Sequence, residues 1–223
     1  MTRRIALWTG IAAVAVAAMV GALVILRPGL IVSWDDAWNL EMGEWRSDPL
    51  IGFALVMNFL GGGWFATFVV PLGIALVGLL RGWRASVYAL AAFVASAAVV
   101  QLIKHLLGRP RPEDLLIASD FGSYPSGHTA NAATVAIVLW FLFPAVATAI
   151  GGAVWVVAMG FSRTVLSVHW FSDTVGGALV GGGVALIAAA VLWRWVGRVG
   201  MPGEAGEDIP RDRGIGGPPA HGR

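Results

Sequence analysis

Long apolar runs, separated by short polar stretches, dominate this chain. Six of these runs approach the roughly 20 residues that an α-helix needs to cross a hydrocarbon core about 30 Å thick. They lie near residues 5–26, 63–80, 84–105, 126–143, 145–161 and 171–193. The pattern predicts an all-α fold in which six helices span a membrane as one bundle.

A stretch of mixed polarity separates the first two runs. In residues 32–63, Trp34, Trp38 and Trp45 alternate with acidic side chains, and the stretch ends in consecutive glycines. This composition predicts one or two interfacial helices that lie on the bilayer surface. The apolar residues 50–60 are too few to span a bilayer alone, so the alternative is that they extend the second membrane helix.

The composition supports the membrane assignment. Hydrophobic residues make up 57% of the chain and charged residues 13%, whereas soluble domains carry about 25% charge. An isoelectric point near 9.7 is typical of nucleic-acid-binding proteins, but Lys104 is the only lysine and basic runs are confined to the termini. We therefore expect no nucleic-acid partner. The chain has no cysteine, which excludes disulfides and thiolate metal sites.

Residues 1–199 are predicted to form one membrane domain, and the glycine- and proline-rich residues 200–223 a disordered cytoplasmic tail. The first apolar run is longer than the core of a signal peptide and lacks a small-residue cleavage site, so we expect an uncleaved helix. With the N-terminus inside, nine of the 15 Lys and Arg residues lie on the cytoplasmic side. This bias favours cytoplasmic N- and C-termini, in what the Ala-, Gly- and Arg-rich composition suggests is a bacterial cell membrane.

Residues suited to catalysis fall into three clusters, and the predicted topology brings all three to the extracytoplasmic face. The clusters are KHLLGRPRP at 104–112, YPSGHT at 124–129 and SRTVLSVHWFSD at 162–173. A random scatter of such residues would divide them between both faces. Their convergence on one face is the first indication of a functional site.

In the third cluster, His169 and Asp173 are four positions apart, which places them on one face of a helix. A carboxylate bonded to one imidazole nitrogen leaves the other nitrogen free as a base or nucleophile. Arg163 lies at the end of the preceding helix and can turn back towards the pair. The alternative is a buried His–Asp pair that only ties two helix ends together.

The second cluster is typical of a helix start. Ser126 is a favourable N-cap residue, and Gly127 allows a close approach to the backbone. The exposed N–H groups of the first turn form an anion site, and His128 in that turn can donate a proton. The alternative is simple capping beside a surface histidine.

The first cluster supplies cations. Lys104, Arg109 and Arg111 surround two prolines, and guanidinium groups suit phosphate oxygens. The alternative is a basic patch that contacts anionic lipid headgroups.

Together the three clusters indicate phosphoryl transfer. Metal catalysis fits poorly, because the acidic pairs Asp35–Asp36 and Glu113–Asp114 have no histidine at ligand spacing. We interpret both pairs as solvated loop residues.

The chain resembles the type 2 phosphatidic acid phosphatase and vanadium haloperoxidase superfamily. The signature of that superfamily is Lys, six residues and Arg-Pro, then Pro-Ser-Gly-His, then Ser-Arg, five residues, His, three residues and Asp. Each part is present, in KHLLGRPRP, PSGH and SRTVLSVHWFSD. The resemblance covers roughly residues 60–195.

The resemblance implies a role for each matched residue. His169 is then the nucleophile that forms a phosphohistidine, Asp173 holds it, and His128 is the general acid. The residues expected to bind phosphate are Lys104, Arg111, Ser126, Gly127 and Arg163. Neither a metal nor another cofactor is implied, and Arg109, outside the signature, has no assigned role.

The resemblance also implies an integral membrane lipid phosphatase, whose substrate is a phosphatidic acid, a phosphatidylglycerol phosphate or a polyprenyl diphosphate within the bilayer. One alternative is a lipid phosphotransferase that uses the same phosphohistidine. A remote alternative is a lipid carrier without catalysis, which would leave the His169–Asp173 pair without a role.

Overall fold

The computed structural model describes residues 1–196, and the predicted tail at 200–223 lies outside the described residues. Within this part all regular secondary structure is helical and there is no strand, which confirms the all-α prediction. The helices, in chain order, are α1 Arg3–Leu26, α2 Pro28–Trp45, α3 Asp48–Gly61, α4 Gly63–Arg81, α5 Trp83–Leu107, α6 Gly127–Leu142, α7 Val146–Val165, α8 Phe171–Val191 and α9 Trp193–Val196. Residues 108–126 form the loop after α5.

A helix occupies each of the six predicted apolar runs, but the count of six spans is not confirmed. By length and composition α1, α5, α7 and α8 can cross a membrane alone, and α3 with α4 qualifies only as a pair bent by 57°. Helix α6 has 16 residues and is therefore about 24 Å long, short of a hydrocarbon core of about 30 Å. The described part thus has four candidate spans, or five with the bent pair.

The stretch of mixed polarity forms α2 and α3. Met42 and Ala54 are fully buried and pack with Val165, Leu166 and Val168 at the end of α7. Helix α2 also exposes large apolar side chains, at Leu30, Trp34, Leu40 and Trp45. The position of these helices on the bilayer surface stays a prediction, and the break at Gly62, where the backbone is extended, keeps α3 from continuing straight into α4.

Helix α8 is the centre of the bundle. Most of its residues are buried, and it packs against α1, α5, α6 and α7. Small residues make this possible, because helices without bulky side chains approach each other closely in a membrane. A Cβ on Gly183 would lie 2.8 Å from the carbonyl oxygen of Gly10, and a Cβ on Gly181 would lie 2.7 Å from the carbonyl carbon of Ala130.

Gly181→Ala should therefore destabilise the protein, because the added methyl meets backbone atoms of α6 that cannot rotate away. Overpacking of this kind costs about 1–3 kcal/mol. The measurement is the midpoint of thermal unfolding in detergent, followed by circular dichroism.

Gly182→Ala is the matched control, because its Cβ would meet only Ile137 Cγ1, at an ordinary 3.7 Å. The control should unfold at or above the wild-type midpoint, since alanine is the better helix former. Equal midpoints for the two variants would contradict the close contact between α6 and α8.

Candidate active site

The three sequence clusters meet at one end of the bundle, around a cavity of about 250 Å³. The last turn of α5, the first turn of α6, the last turn of α7 and the loop before α8 all reach this end. Of the predicted site residues, five line the cavity: Lys104, Gly127, His128, Arg163 and His169. Of the remaining three, Arg111 and Asp173 contact His169 directly, and Ser126 bonds to Asp173.

His169 and Asp173 form a pair across the start of α8. His169 Nδ1 lies 3.5 Å from Asp173 Oδ2, and both side chains are buried. The prediction that one helix carries both residues is wrong, because His169 precedes the N-cap residue Trp170 and lies in the loop after α7. Asp173 is the third residue of α8, and its Oδ2 also accepts the Trp170 N–H at 2.9 Å.

Burial determines the protonation of His169. Burial lowers the pKa of the imidazole to about 4, although the nearby Asp173 carboxylate acts to raise that pKa. A neutral imidazole at neutral pH retains a lone pair for attack.

Arg163 is held rigidly at the floor of the cavity. Its side chain is 1% exposed, and it donates to Asn58 Oδ1 at 2.7 Å and to the carbonyl of Ala54 at 3.3 Å. Both partners belong to α3, which the sequence pattern did not connect with the site. The polar Asn58 in an otherwise apolar helix is the signal that could have indicated this connection.

Lys104 and Arg111 share an acidic partner, Asp120, that the sequence analysis missed. Lys104 Nζ lies 3.1 Å from each carboxylate oxygen, and Arg111 Nη2 lies 2.5 Å from Oδ1. Arg111 Nη1 is also 3.3 Å from His169 Nε2. Partial burial works to raise the pKa of Asp120, but the two cations outweigh it and hold that pKa below its usual value.

Ser126 caps helix α6, as the sequence predicts. Its hydroxyl is fully buried and accepts from the backbone N–H of Thr129 at 3.5 Å and from the Thr129 hydroxyl at 3.1 Å. The backbone N–H of Ser126 donates to the carbonyl of Asp173 at 2.9 Å, which joins the starts of α6 and α8. From this cluster it is Gly127 and His128 that face the cavity.

The consecutive glycines after α3 make room for His128. A Cβ on Gly61 would lie 3.0 Å from His128 Cδ2, and one on Gly62 would lie 2.6 Å from Cε1. The sequence pattern marks these glycines only as the end of the stretch of mixed polarity. Their second effect is to let the imidazole lie directly against the backbone.

Arg109, which had no assigned role, lies in a buried ion-pair network. Its Nη1 is 2.5 Å from Asp173 Oδ1 and its Nη2 is 2.7 Å from Asp35 Oδ2. The interpretation of Asp35 as a solvated loop residue is wrong, because α2 packs against α8 and leaves this side chain 1% exposed. The adjacent Asp36 is exposed, and Asp114 is half-exposed and paired with Arg46.

Bacterial phosphatases are similar to parts of this chain. The lipid A 1-phosphatase of Rhizobium etli is 29% identical over 122 residues, which is 48% of this chain and 50% of that protein. The non-specific acid phosphatase of Salmonella typhi is 41% identical over 71 residues, 32% of this chain and 28% of that protein. The chain thus spans half the length of the first relative and less of the second.

Two solved structures share the fold. A transmembrane PAP2-type phosphatidylglycerolphosphate phosphatase from Bacillus subtilis superposes with a TM-score of 0.75 at 22% identity, over 84% of this chain and 97% of that one. Aquifex aeolicus LpxE superposes with a TM-score of 0.60 at 25% identity, over 69% and 92%. With its long apolar helices, the chain is an integral membrane protein of this fold.

The sequence profile of the PAP2 superfamily matches residues 85–197, just over half of the chain. This range contains all three clusters around the cavity. The match confirms the resemblance found in the motifs, and the chain belongs to the PAP2 superfamily.

Proposed function

We propose that this protein is a membrane phosphatase that hydrolyses a lipid phosphate monoester or diphosphate through a phosphohistidine. The observation that carries the proposal is a single cavity in which His169, backed by Asp173, faces the cations Lys104 and Arg163. The names of two similar proteins, a lipid A 1-phosphatase and a phosphatidylglycerolphosphate phosphatase, support a lipid substrate.

In the proposed reaction, His169 Nε2 attacks phosphorus, because Nδ1 is the nitrogen that faces Asp173. The Nε2–P bond forms while the bond from phosphorus to the leaving oxygen breaks, and His128 protonates that oxygen. Water then attacks the phosphohistidine and gives a proton to His128, which restores the general acid. The Nε2–P bond breaks, phosphate is released and the electron pair returns to Nε2. The Asp173 carboxylate stabilises the positive charge that develops on the ring.

Phosphate oxygens would be met by Lys104, Arg111 and Arg163 and by N–H groups at the start of α6, including that of Gly127. Ser126 contributes by capping this helix start rather than through a free hydroxyl. These groups supply the charge that a divalent ion provides in other phosphoryl-transfer sites. We therefore propose that the reaction needs no metal.

The proposal places the site at the extracytoplasmic face, with both termini in the cytoplasm. The support is the distribution of basic residues, above all Arg81 and Arg84, which flank the one-residue connection at Gly82 between α4 and α5. Short loops carry most weight in the positive-inside rule. In this orientation the headgroup of a lipid in the outer leaflet reaches the cavity while its chains stay in the bilayer.

Replacing the nucleophile tests the proposal directly. His169→Ala should lower phosphate release by at least about a thousandfold, because of the two histidines that line the cavity His169 is the one backed by a carboxylate. The assay is phosphate released in detergent from phosphatidic acid, phosphatidylglycerol phosphate and undecaprenyl diphosphate. His105→Ala is the control, since His105 is exposed on α5 and its hydrogen bond is to the carbonyl of Gln101 in its own helix. Wild-type turnover by His169→Ala would refute the assignment.

Metal removal tests the second part of the proposal. Activity should survive an excess of EDTA, because protein cations meet the charge on the phosphoryl group. Vanadate should inhibit, since it adopts the five-coordinate geometry of the transition state. Loss of activity in EDTA with recovery on addition of magnesium would contradict the metal-free mechanism.

Asp120 competes with a substrate phosphate for the same two cations, so neutralising it should tighten binding. Asp120→Asn keeps the size of the side chain and should lower the KM by about threefold to tenfold, which corresponds to about 1 kcal/mol. The inhibition constant of vanadate should fall in parallel, with kcat little changed. Glu113→Gln, an exposed acid on the same loop, should leave both constants at their wild-type values. A higher KM for Asp120→Asn would mean that Asp120 assists binding.

A further inference from the structure

The orientation of the Asp173 carboxylate depends on partners on both of its oxygens. Oδ2 accepts the Trp170 N–H at 2.9 Å and faces His169 Nδ1 at 3.5 Å. Oδ1 accepts from Arg109 Nη1 at 2.5 Å. Since the carboxylate is fully buried, no water competes for these contacts, and Arg109 determines how the group is rotated towards His169.

Arg109 is itself fixed in direction. Its second terminal nitrogen, Nη2, donates to Asp35 Oδ2 at 2.7 Å. Its Cζ atom lies 5.4 Å from the centre of the Trp170 ring, and the indole N–H of Trp170 donates to the carbonyl of Pro110 at 2.9 Å. A planar guanidinium that bonds a carboxylate through each terminal nitrogen has little freedom to turn.

Asp35 connects this network to a helix outside the matched superfamily profile, which begins at residue 85. Its Oδ1 accepts the backbone N–H of Ser172 at 2.8 Å, and its Oδ2 accepts the Ser172 hydroxyl at 2.6 Å. Ser172 is the second residue of α8, so the Asp35 carboxylate satisfies a free N–H of the helix that carries Asp173. The contact crosses 137 positions of sequence.

We infer that Asp35, acting through Arg109, is a positioning residue for Asp173 in the reaction. This inference rests on the proposed function, in which Asp173 stabilises positive charge on His169. Two carboxylates share the one guanidinium, so Arg109 does not neutralise Asp173 fully. Without the charge of Asp35, Arg109 would bind Asp173 alone and reduce its effect on the imidazole.

The charges of the network predict opposite effects for its two members. Asp35→Asn removes a negative charge, which disfavours protonated His169 and moves its titration midpoint to lower pH. Arg109→Gln removes a positive charge and moves the midpoint to higher pH. The variant with both changes restores the charge balance, so its midpoint should return towards wild type. The other titratable and charged groups that face His169 are unchanged in all three variants: Asp173, Asp120, Arg111, Lys104, Arg163 and His128.

The experiment follows the imidazole signals of full-length protein with isotope-labelled histidine, by NMR in detergent. The chain has four histidines, and His169→Ala identifies the signal by its loss. Opposite shifts that cancel in the double variant are the expected result. Asp36→Asn is the control, because this neighbour on α2 is exposed and should leave the midpoint unchanged. A His169 midpoint that does not respond to Asp35→Asn or Arg109→Gln would overturn the inference, whatever the protein's activity.

Kinetics supply the second readout. Asp35→Asn should lower kcat by about tenfold or more with the KM within about twofold of wild type, because the cations that bind phosphate are intact. A network that only joined α2 to α8 would lower the thermal midpoint and leave kcat unchanged, which would also overturn the inference. If Asp35→Asn does not fold, the same measurement is made on Arg109→Lys. This variant keeps the buried positive charge but loses the planar guanidinium group, and it should lower kcat without raising the KM.

The two hypotheses fail in different ways. A wild-type protein that releases no phosphate from any of the three lipids would refute the proposed function. The NMR midpoints would still test whether Asp35 and Arg109 act on His169 through Asp173. An active wild type with an inactive His169→Ala and an unchanged Asp35→Asn would refute the positioning role alone.

Discussion

The site depends on one buried charge, the Asp173 carboxylate. A carboxylate that is fully removed from water costs several kcal/mol unless donors surround it. Its donors come from the backbone of Trp170, from His169 and from Arg109, and Arg109 in turn needs Asp35. The donors that the Asp173 carboxylate needs therefore bring α2, the loop after α5 and the start of α8 together, next to the proposed nucleophile.

In the cavity the unbalanced charge is positive, and it requires an anion. Lys104 and Arg111 place two positive charges close together, and like charges at this distance need an anion between them. Asp120 supplies it, and with 58% of its side chain exposed it can be exchanged at little cost. A phosphate carries more charge and more acceptor oxygens than this one carboxylate. The cations are thus kept in place by a partner that the proposed substrate can displace.

The sequence predicted what depends on local pattern. Apolar runs located six of the described helices, and the motif spacing identified the residues around the cavity. It did not predict Asp35 or Asp120, because their partners lie 74 and 16 positions away and no periodicity links them. The four-residue spacing of His169 and Asp173 predicted their contact, which the structure shows. The predicted cause was wrong, because the two residues do not share a helix: His169 lies before the start of α8 and Asp173 lies within it.

Two helix starts meet at the site, and they differ in what they bind. The N-terminal turn of α8 already has its anions, because Asp173 accepts the N-cap N–H and Asp35 accepts the N–H of Ser172. The N-terminal turn of α6 has only the neutral hydroxyl of Ser126 as a cap, and it opens on the cavity at Gly127 and His128. Since each helix start favours negative charge, the first is saturated by the protein and the second remains available. The hydrogen bond from Ser126 N–H to the Asp173 carbonyl fixes the distance between them, so the proposed anion site at α6 has a set position relative to His169.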